Sequence, residues 1–228
     1  MPITPWSVAA LGALGYVVGG IPVGWLLVRW RSKLDIRRVG TGKIGTANIY
    51  RNAGPALAAL VGPLQFAQGL APVLIARALG APPWLWALTG ICAVIGNGWP
   101  FYLGMRGSRG VAVTTGVVAG LGIIPLAVLL AFYVLGLIAQ RIAVGVLAGM
   151  VVLPMASYAS GGGDVAAGLV VILLVVLARR LEGVAQDLRE ARQGKASLVA
   201  RRLLLDERPG QSLIGPNEGG AGAPQPHS

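Results

Sequence analysis

The sequence has one cysteine, Cys92, and one histidine, His227, in 228 residues. A single thiol inside an apolar run excludes a disulfide framework and any metal site built on paired cysteines. A single histidine so near the C-terminus excludes a Ser-His-Asp set. Acidic residues are also scarce, with 8 Asp and Glu against 19 Lys and Arg and a formal charge of +11. Asp164, at a glycine-rich turn, is the only carboxylate among the apolar runs, whereas an ion-coupled carrier is expected to place ionisable groups at mid-membrane. Any chemistry here must work without a conventional side-chain general base.

What is abundant is apolar surface. With 55% hydrophobic residues and a mean hydropathy of +0.71, the chain is too apolar for an ordinary soluble domain. It reads as an all-α integral membrane protein. A pI near 11.1 on such a chain implies cytoplasmic loops held against anionic membrane lipid, with no nucleic-acid partner. The first 28 residues carry no charge, and residues 6–28 are long enough to span. With no basic n-region before it, this run reads as a retained helix and not a cleaved signal. A bend is expected at Gly19-Gly20-Ile21-Pro22.

Seven cations from Arg29 to Arg51, opposed only by Asp35, mark a cytoplasmic loop, which places the N-terminus outside. Residues 52–76 and 78–105 form the next hairpin, turning at Ala81-Pro82-Pro83. The 30-residue run 111–140 contains Gly120, Gly122 and Pro125. Two short spans breaking near 122–125 keep Arg141, Arg179, Arg180 and the basic tail inside, giving about seven transmembrane helices with a cytoplasmic C-terminus. Residues 142–160 and 165–178 complete the set. The organisation is a membrane domain over 1–180, a basic cytoplasmic or interfacial helical segment over 181–208, and a disordered tail over 209–228.

Two polar loops carry the functional signal. Residues 40–51, GTGKIGTANIYR, combine turn-forming Gly40, Gly42 and Gly45 with Lys43, Arg51, Thr41, Thr46 and Asn48. Such a segment brings backbone N–H groups and fixed positive charge to an oxyanion. GTGKIG also matches G-x-G-x-x-G, but a dinucleotide fold needs a strand before it and a βαβ unit around it. Gly107-Ser108-Arg109-Gly110 repeats the phosphate-cradle pattern on the same membrane face. Asn97, an amide within an apolar run, must find a partner.

These residues resemble the bacterial membrane acyl-phosphate:glycerol-3-phosphate acyltransferases, the PlsY family. Residues 20–24 are similar to its G-S-I-P-x-G, residues 40–51 to its G-S-G-N-x-G-A-T-N-x-x-R, and residues 93–112 to its A-x-x-G-H-N-W-P…G-G-K-G-V-A. The resemblance implies a seven-span fold and acyl transfer from acyl phosphate to the 1-hydroxyl of glycerol 3-phosphate in phospholipid biosynthesis. It also implies a bacterial inner-membrane location and no cofactor or metal. Carried over, the catalytic set is Thr41 (serine in the family), Asn48, Arg51 (acceptor phosphate) and Arg109 (lysine in the family). Gly40, Gly42, Lys43, Gly45, Asn97, Gly107, Ser108, Gly110 and Arg180 are the substrate-binding set. Lys43 replaces an asparagine, Asn97-Gly98 replaces His-Asn, and the third motif survives only as Arg141. A second reading is therefore a catalytically silent relative that binds a lipid or phosphate head group, or an acyltransferase with another phosphorylated acceptor.

Overall fold

The computed structural model describes residues 2–182, all helical or irregular, and within them no strand forms. The chain divides into two compact units, Met1–Arg179 and Arg180–Ser228. The expected basic segment and tail lie, beyond Glu182, outside the described residues.

Helix α1, Pro5–Gly20, opens with a reciprocal cap: Ser7 N–H donates to Thr4 Oγ1 at 3.2 Å, and Thr4 N–H to Ser7 Oγ at 2.9 Å. Pro22, lacking an N–H, breaks the path where the glycines predict a bend, and α2, Val23–Ser32, continues beyond it. A 3-10 turn, Ile36–Arg38, leads to the first glycine loop. Its second half is not loop, as the sequence suggests, but a short helix α3, Thr46–Ala53, capped by Gly45. Gly54 at φ 98° and Pro55 then end α3 and start α4, Pro55–Ala78. Helix α5, Pro83–Gly98, stops short of the expected 105, because Pro100 cannot continue the ladder. The second glycine loop leads into α6, Val111–Leu121. The run 111–140 does break at Gly122, and α7, Ile123–Ile138, α8, Ile142–Ala159, and α9, Gly163–Leu181, follow.

By length and composition α1 with α2, α4 and α8 can each cross a membrane, while α6 and α7 are shorter apolar helices. Small residues let backbones approach closely, the usual means of joining helices where lipid removes the hydrophobic drive. Gly15 and Gly19 of α1 lie against the Thr89 and Ala93 carbonyls of α5, leaving no room for a Cβ, so these helices run parallel. Gly69 of α4 meets Val113 of α6, and Gly116 of α6 meets Phe66 of α4. At the far end of this pair, Arg77 donates to the Gly120 carbonyl at 2.7 Å and stacks on Trp86 at 4.7 Å, capping α6 just before its break. Gly136 and Gly149 pack α7 antiparallel to α8. The main core joins Val73, Val94, Val117, Leu129, Met150, Leu169 and Ile172, while Val28, Ile36, Ile44, Ile49 and Val61 form a second cluster beneath the first loop.

Candidate active site

The first loop is wound around one side chain. Gly40 and Gly42, at φ 58° and 67°, turn the backbone through the left-handed region. Asn48, 4% exposed, then fills the ring they make. Its Oδ1 accepts from Thr41 N–H and Asn52 Nδ2, both at 3.0 Å. Its Nδ2 faces the carbonyls of Lys43 at 2.9 Å, Val39 at 3.1 Å and Ile36 at 3.3 Å. This amide shapes the loop, since every polar atom it has is used within it. Thr41 is buried, Lys43 half-buried, and Arg51 exposed in the last turn of α3.

The loop's entrance is braced by Asp35, which accepts Trp25 Nε1 at 3.1 Å and grips Arg37 through Nε at 2.9 Å and Nη2 at 2.8 Å. The Arg37 hydrogen bonds hold the Asp35 carboxyl well below the ordinary carboxylate range, and the same pairing raises Arg37. Asp35 is thus a fixed anion in an ion pair and not a base. Among the described residues no cluster of His, Cys, Asp or Glu could hold a metal.

The second loop folds back on the end of α5. Gly107 N–H donates to Gly98 O at 3.1 Å and Ser108 N–H to Asn97 O at 3.0 Å. The Ser108 hydroxyl donates to Asn97 Oδ1 and accepts from Gly110 N–H at 2.9 Å. Asn97 Nδ2 completes the chain by donating to Gly19 O, at the end of α1, at 3.1 Å. Asn97 and Ser108, expected to touch substrate, therefore form the loop's internal frame. Their polar groups are satisfied by protein, as buried amides and hydroxyls require.

Two further supports were not singled out from sequence. Arg179 of α9 donates to the Ser108 and Gly107 carbonyls at 3.1 and 3.2 Å and lies 5.2 Å over Trp99. It reads from sequence only as an inside-positive charge after an apolar run. Gln65 and Gln68 of α4 are buried amides, 3% and 6% exposed. The rule that flags Asn97, an amide in an apolar run, flags them equally. Arg180 stands in the last turn of α9, where the second compact unit begins.

The loops meet at Gly45 and Ser108. A Cβ built on Gly45 would lie 3.4 Å from Ser108 Cβ. Because Gly45 caps α3 and Gly110 caps α6, this contact brings two helix N-termini together. Both helix starts carry partial positive charge, and Lys43 and Arg109, on the loops that lead into them, are full charges, whereas Arg51 lies at the other end of α3. Beside them a tight crevice, too small to admit a water molecule, is lined by Arg109, Arg179, Trp99 and the apolar Val94, Val175 and Val176. Arginines and aliphatic side chains thus lie side by side at the end of the second loop.

Fold and site together define a helical integral membrane protein whose two glycine loops meet at Gly45 and Ser108. Residues 9–188 match the family model described as glycerol-3-phosphate acyltransferase. The chain belongs to that family. It is 33% identical over 200 residues to glycerol-3-phosphate acyltransferase 5 of Dehalococcoides mccartyi, covering 84% of this chain and 85% of that one. It is 37% identical over 193 residues to the Geobacter sulfurreducens glycerol-3-phosphate acyltransferase, covering 81% and 95%. The crystal structure of PlsY (YgiH), an integral membrane glycerol 3-phosphate acyltransferase, in its glycerol 3-phosphate form superposes with a TM-score of 0.71 at 26% identity, over 85% of this chain and 98% of that one. Its lysophosphatidic acid form gives 0.67 at 25% identity, over 83% and 97%.

Proposed function

We propose that this chain transfers an acyl group from acyl phosphate to the 1-hydroxyl of glycerol 3-phosphate, forming lysophosphatidic acid and inorganic phosphate. The observation that carries the reading is the Gly45–Ser108 contact, which brings together two helix N-termini and the glycine loops that carry Lys43 and Arg109, an arrangement suited to anions. Both substrates are anions, and their mutual repulsion is what such a site offsets. Arg51 pairs with the acceptor phosphate, and Arg109 with the phosphate that leaves. The acceptor hydroxyl oxygen attacks the acyl carbon, the bond from that carbon to the phosphate oxygen breaks, and the hydroxyl proton passes to a phosphate oxygen. Acyl phosphate is an activated donor, so positioning and charge neutralisation serve in place of a base. That agrees with Asp35 being locked to Arg37.

We place the chain in a bacterial inner membrane with seven passes, the N-terminus outside and the glycine loops at the cytoplasmic face. Arg29, Arg31, Lys33 and Arg38 there face anionic lipid beside Trp30, which is 80% exposed. The test is product formation by purified protein in detergent, given a long-chain acyl phosphate and glycerol 3-phosphate, with acyl-CoA as control donor. Lysophosphatidic acid from acyl phosphate alone is expected. Product from acyl-CoA would overturn the donor assignment. Binding of glycerol 3-phosphate without turnover would instead identify a silent relative.

A further inference from the structure

Helix α4 carries two amides, Gln65 and Gln68, where a membrane helix ordinarily has aliphatic residues. Three positions apart, they share one face. A buried amide without partners is costly, so the groups they hold are informative. Gln65 reaches the first loop: Oε1 accepts from the Thr46 hydroxyl at 2.9 Å, and Nε2 points to the Ile44 carbonyl at 3.4 Å. Thr46 and Ile44 flank Gly45, the residue against Ser108. Gly62, one turn earlier, leaves a notch for the Thr46 methyl, 3.7 Å from where its Cβ would be.

Gln68 reaches the break in α1, where Pro22 frees carbonyls from the helix ladder. Its Nε2 donates to Val18 O at 2.7 Å and Ile21 O at 2.8 Å. Between them, Gly19 O is taken by Asn97, the same amide that receives the Ser108 hydroxyl. One face of α4 therefore holds the Gly45 side of the contact through Gln65. It holds the Ser108 side through Gln68, the broken end of α1 and Asn97.

We propose that Gln65 and Gln68 are positioning residues for acyl transfer, setting the register of Gly45 against Ser108. They thereby align the first loop and α3, which carry Lys43 and Arg51, against the second loop, which carries Arg109, and the start of α6. The proposal rests on the two loops being the acyl-transfer site. Neither glutamine touches substrate; each acts through the loop it supports. A displacement of ~1 Å between reacting groups can cost ~10²-fold in rate.

The experiment uses the full chain in detergent as wild type, Gln65→Leu, Gln68→Leu, Thr46→Val, Thr46→Ser and the Gln65→Leu/Thr46→Val double variant. Steady-state kinetics with hexadecanoyl phosphate and glycerol 3-phosphate are run beside calorimetric binding of glycerol 3-phosphate and thermal unfolding. Gln65→Leu and Gln68→Leu are expected to lower kcat by ~10- to 100-fold while the protein remains folded. Thr46→Val should reproduce the Gln65→Leu loss, the double variant should be no worse than either single one, and Thr46→Ser should restore turnover. Wild-type kcat and KM in both glutamine variants, or fully additive losses in the double one, would overturn the proposal and leave the wild-type activity intact. If wild type binds glycerol 3-phosphate without turnover, weaker binding in the glutamine variants supports the alignment and unchanged binding sinks it. Neither turnover nor binding by folded wild type would overturn the site reading, and the proposal with it.

Discussion

Arg179 Nε donates to the Ser108 carbonyl at 3.1 Å across a separation of 71 residues, fastening the end of α9 to the second glycine loop. With Nη2 on the Gly107 carbonyl, the guanidinium holds two successive carbonyls on one side of the loop. This fork geometry is not available to an ammonium group. Arg179→Lys should therefore keep the charge but lose ~10- to 100-fold in kcat/KM. Equal kinetics in the two proteins would show that the clamp is dispensable.

Replacing Asn48 should damage the first loop more than its size suggests. Asn48→Ala leaves the Thr41 N–H and the Lys43 and Val39 carbonyls without their partner, and each orphaned buried group costs ~1–3 kcal/mol. Asn48→Asp keeps the acceptor but turns a carboxylate toward those carbonyls. Both variants should melt lower than wild type and turn over poorly, which thermal unfolding and initial rates will show.

Gly45 measures how closely the loops must meet. With Ser108 Cβ 3.4 Å from its Cβ position, alanine just fits and a branched side chain does not. Activity should fall further in Gly45→Val than in Gly45→Ala, with little change in overall helicity by circular dichroism. The reverse order would mean that the contact is not what sets the rate.

Arg51 and Arg109 are separable by kinetics. Loss of one charged hydrogen bond to a phosphate is worth ~1.5–3 kcal/mol. Arg51→Ala should appear chiefly as a raised KM for glycerol 3-phosphate, and Arg109→Ala chiefly as a lowered kcat with acyl phosphate. Full activity in Arg51→Ala would show that the acceptor phosphate is held elsewhere.

Asp35 supplies a pH test. Its carboxyl titrates lower in the folded protein than in the unfolded chain because Arg37, and then Trp25, bind the ionised form. The folded state is thus favoured at every pH above the unfolded value of ~3.9, and this contribution is lost as pH falls below it toward the folded value. Wild type should lose melting temperature below about pH 4 by more than Asp35→Asn does. Parallel acid curves for the two proteins would remove Asp35 as a brace of the first loop.

Much of this molecule is legible along the chain. Charge-free runs, Pro22 and Gly122 mark the helices and their breaks, because apolar length and missing N–H groups act locally. Gly40, Gly42, Gly107 and Gly110 mark the loops, for a φ near +60° or an unusually close approach is a property of the residue itself. The start of α3 was less legible, since Thr46 to Arg51 carry loop-like polar groups on a helical backbone.

What only tertiary structure decided is which polar groups spend themselves on the frame. Asn48 reads as catalytic and Asn97 and Ser108 as substrate contacts, yet the side-chain hydrogen bonds of all three close on the protein. Gln68 meets Val18 across 50 residues, Asn97 meets Gly19 across 78, and Arg179 meets Ser108 across 71. Composition and spacing by themselves determine that a buried amide or guanidinium must be satisfied. Which carbonyl satisfies it depends on how closely glycine-lined helices approach and where Pro22 has freed an acceptor, and that exists only once the helices are packed.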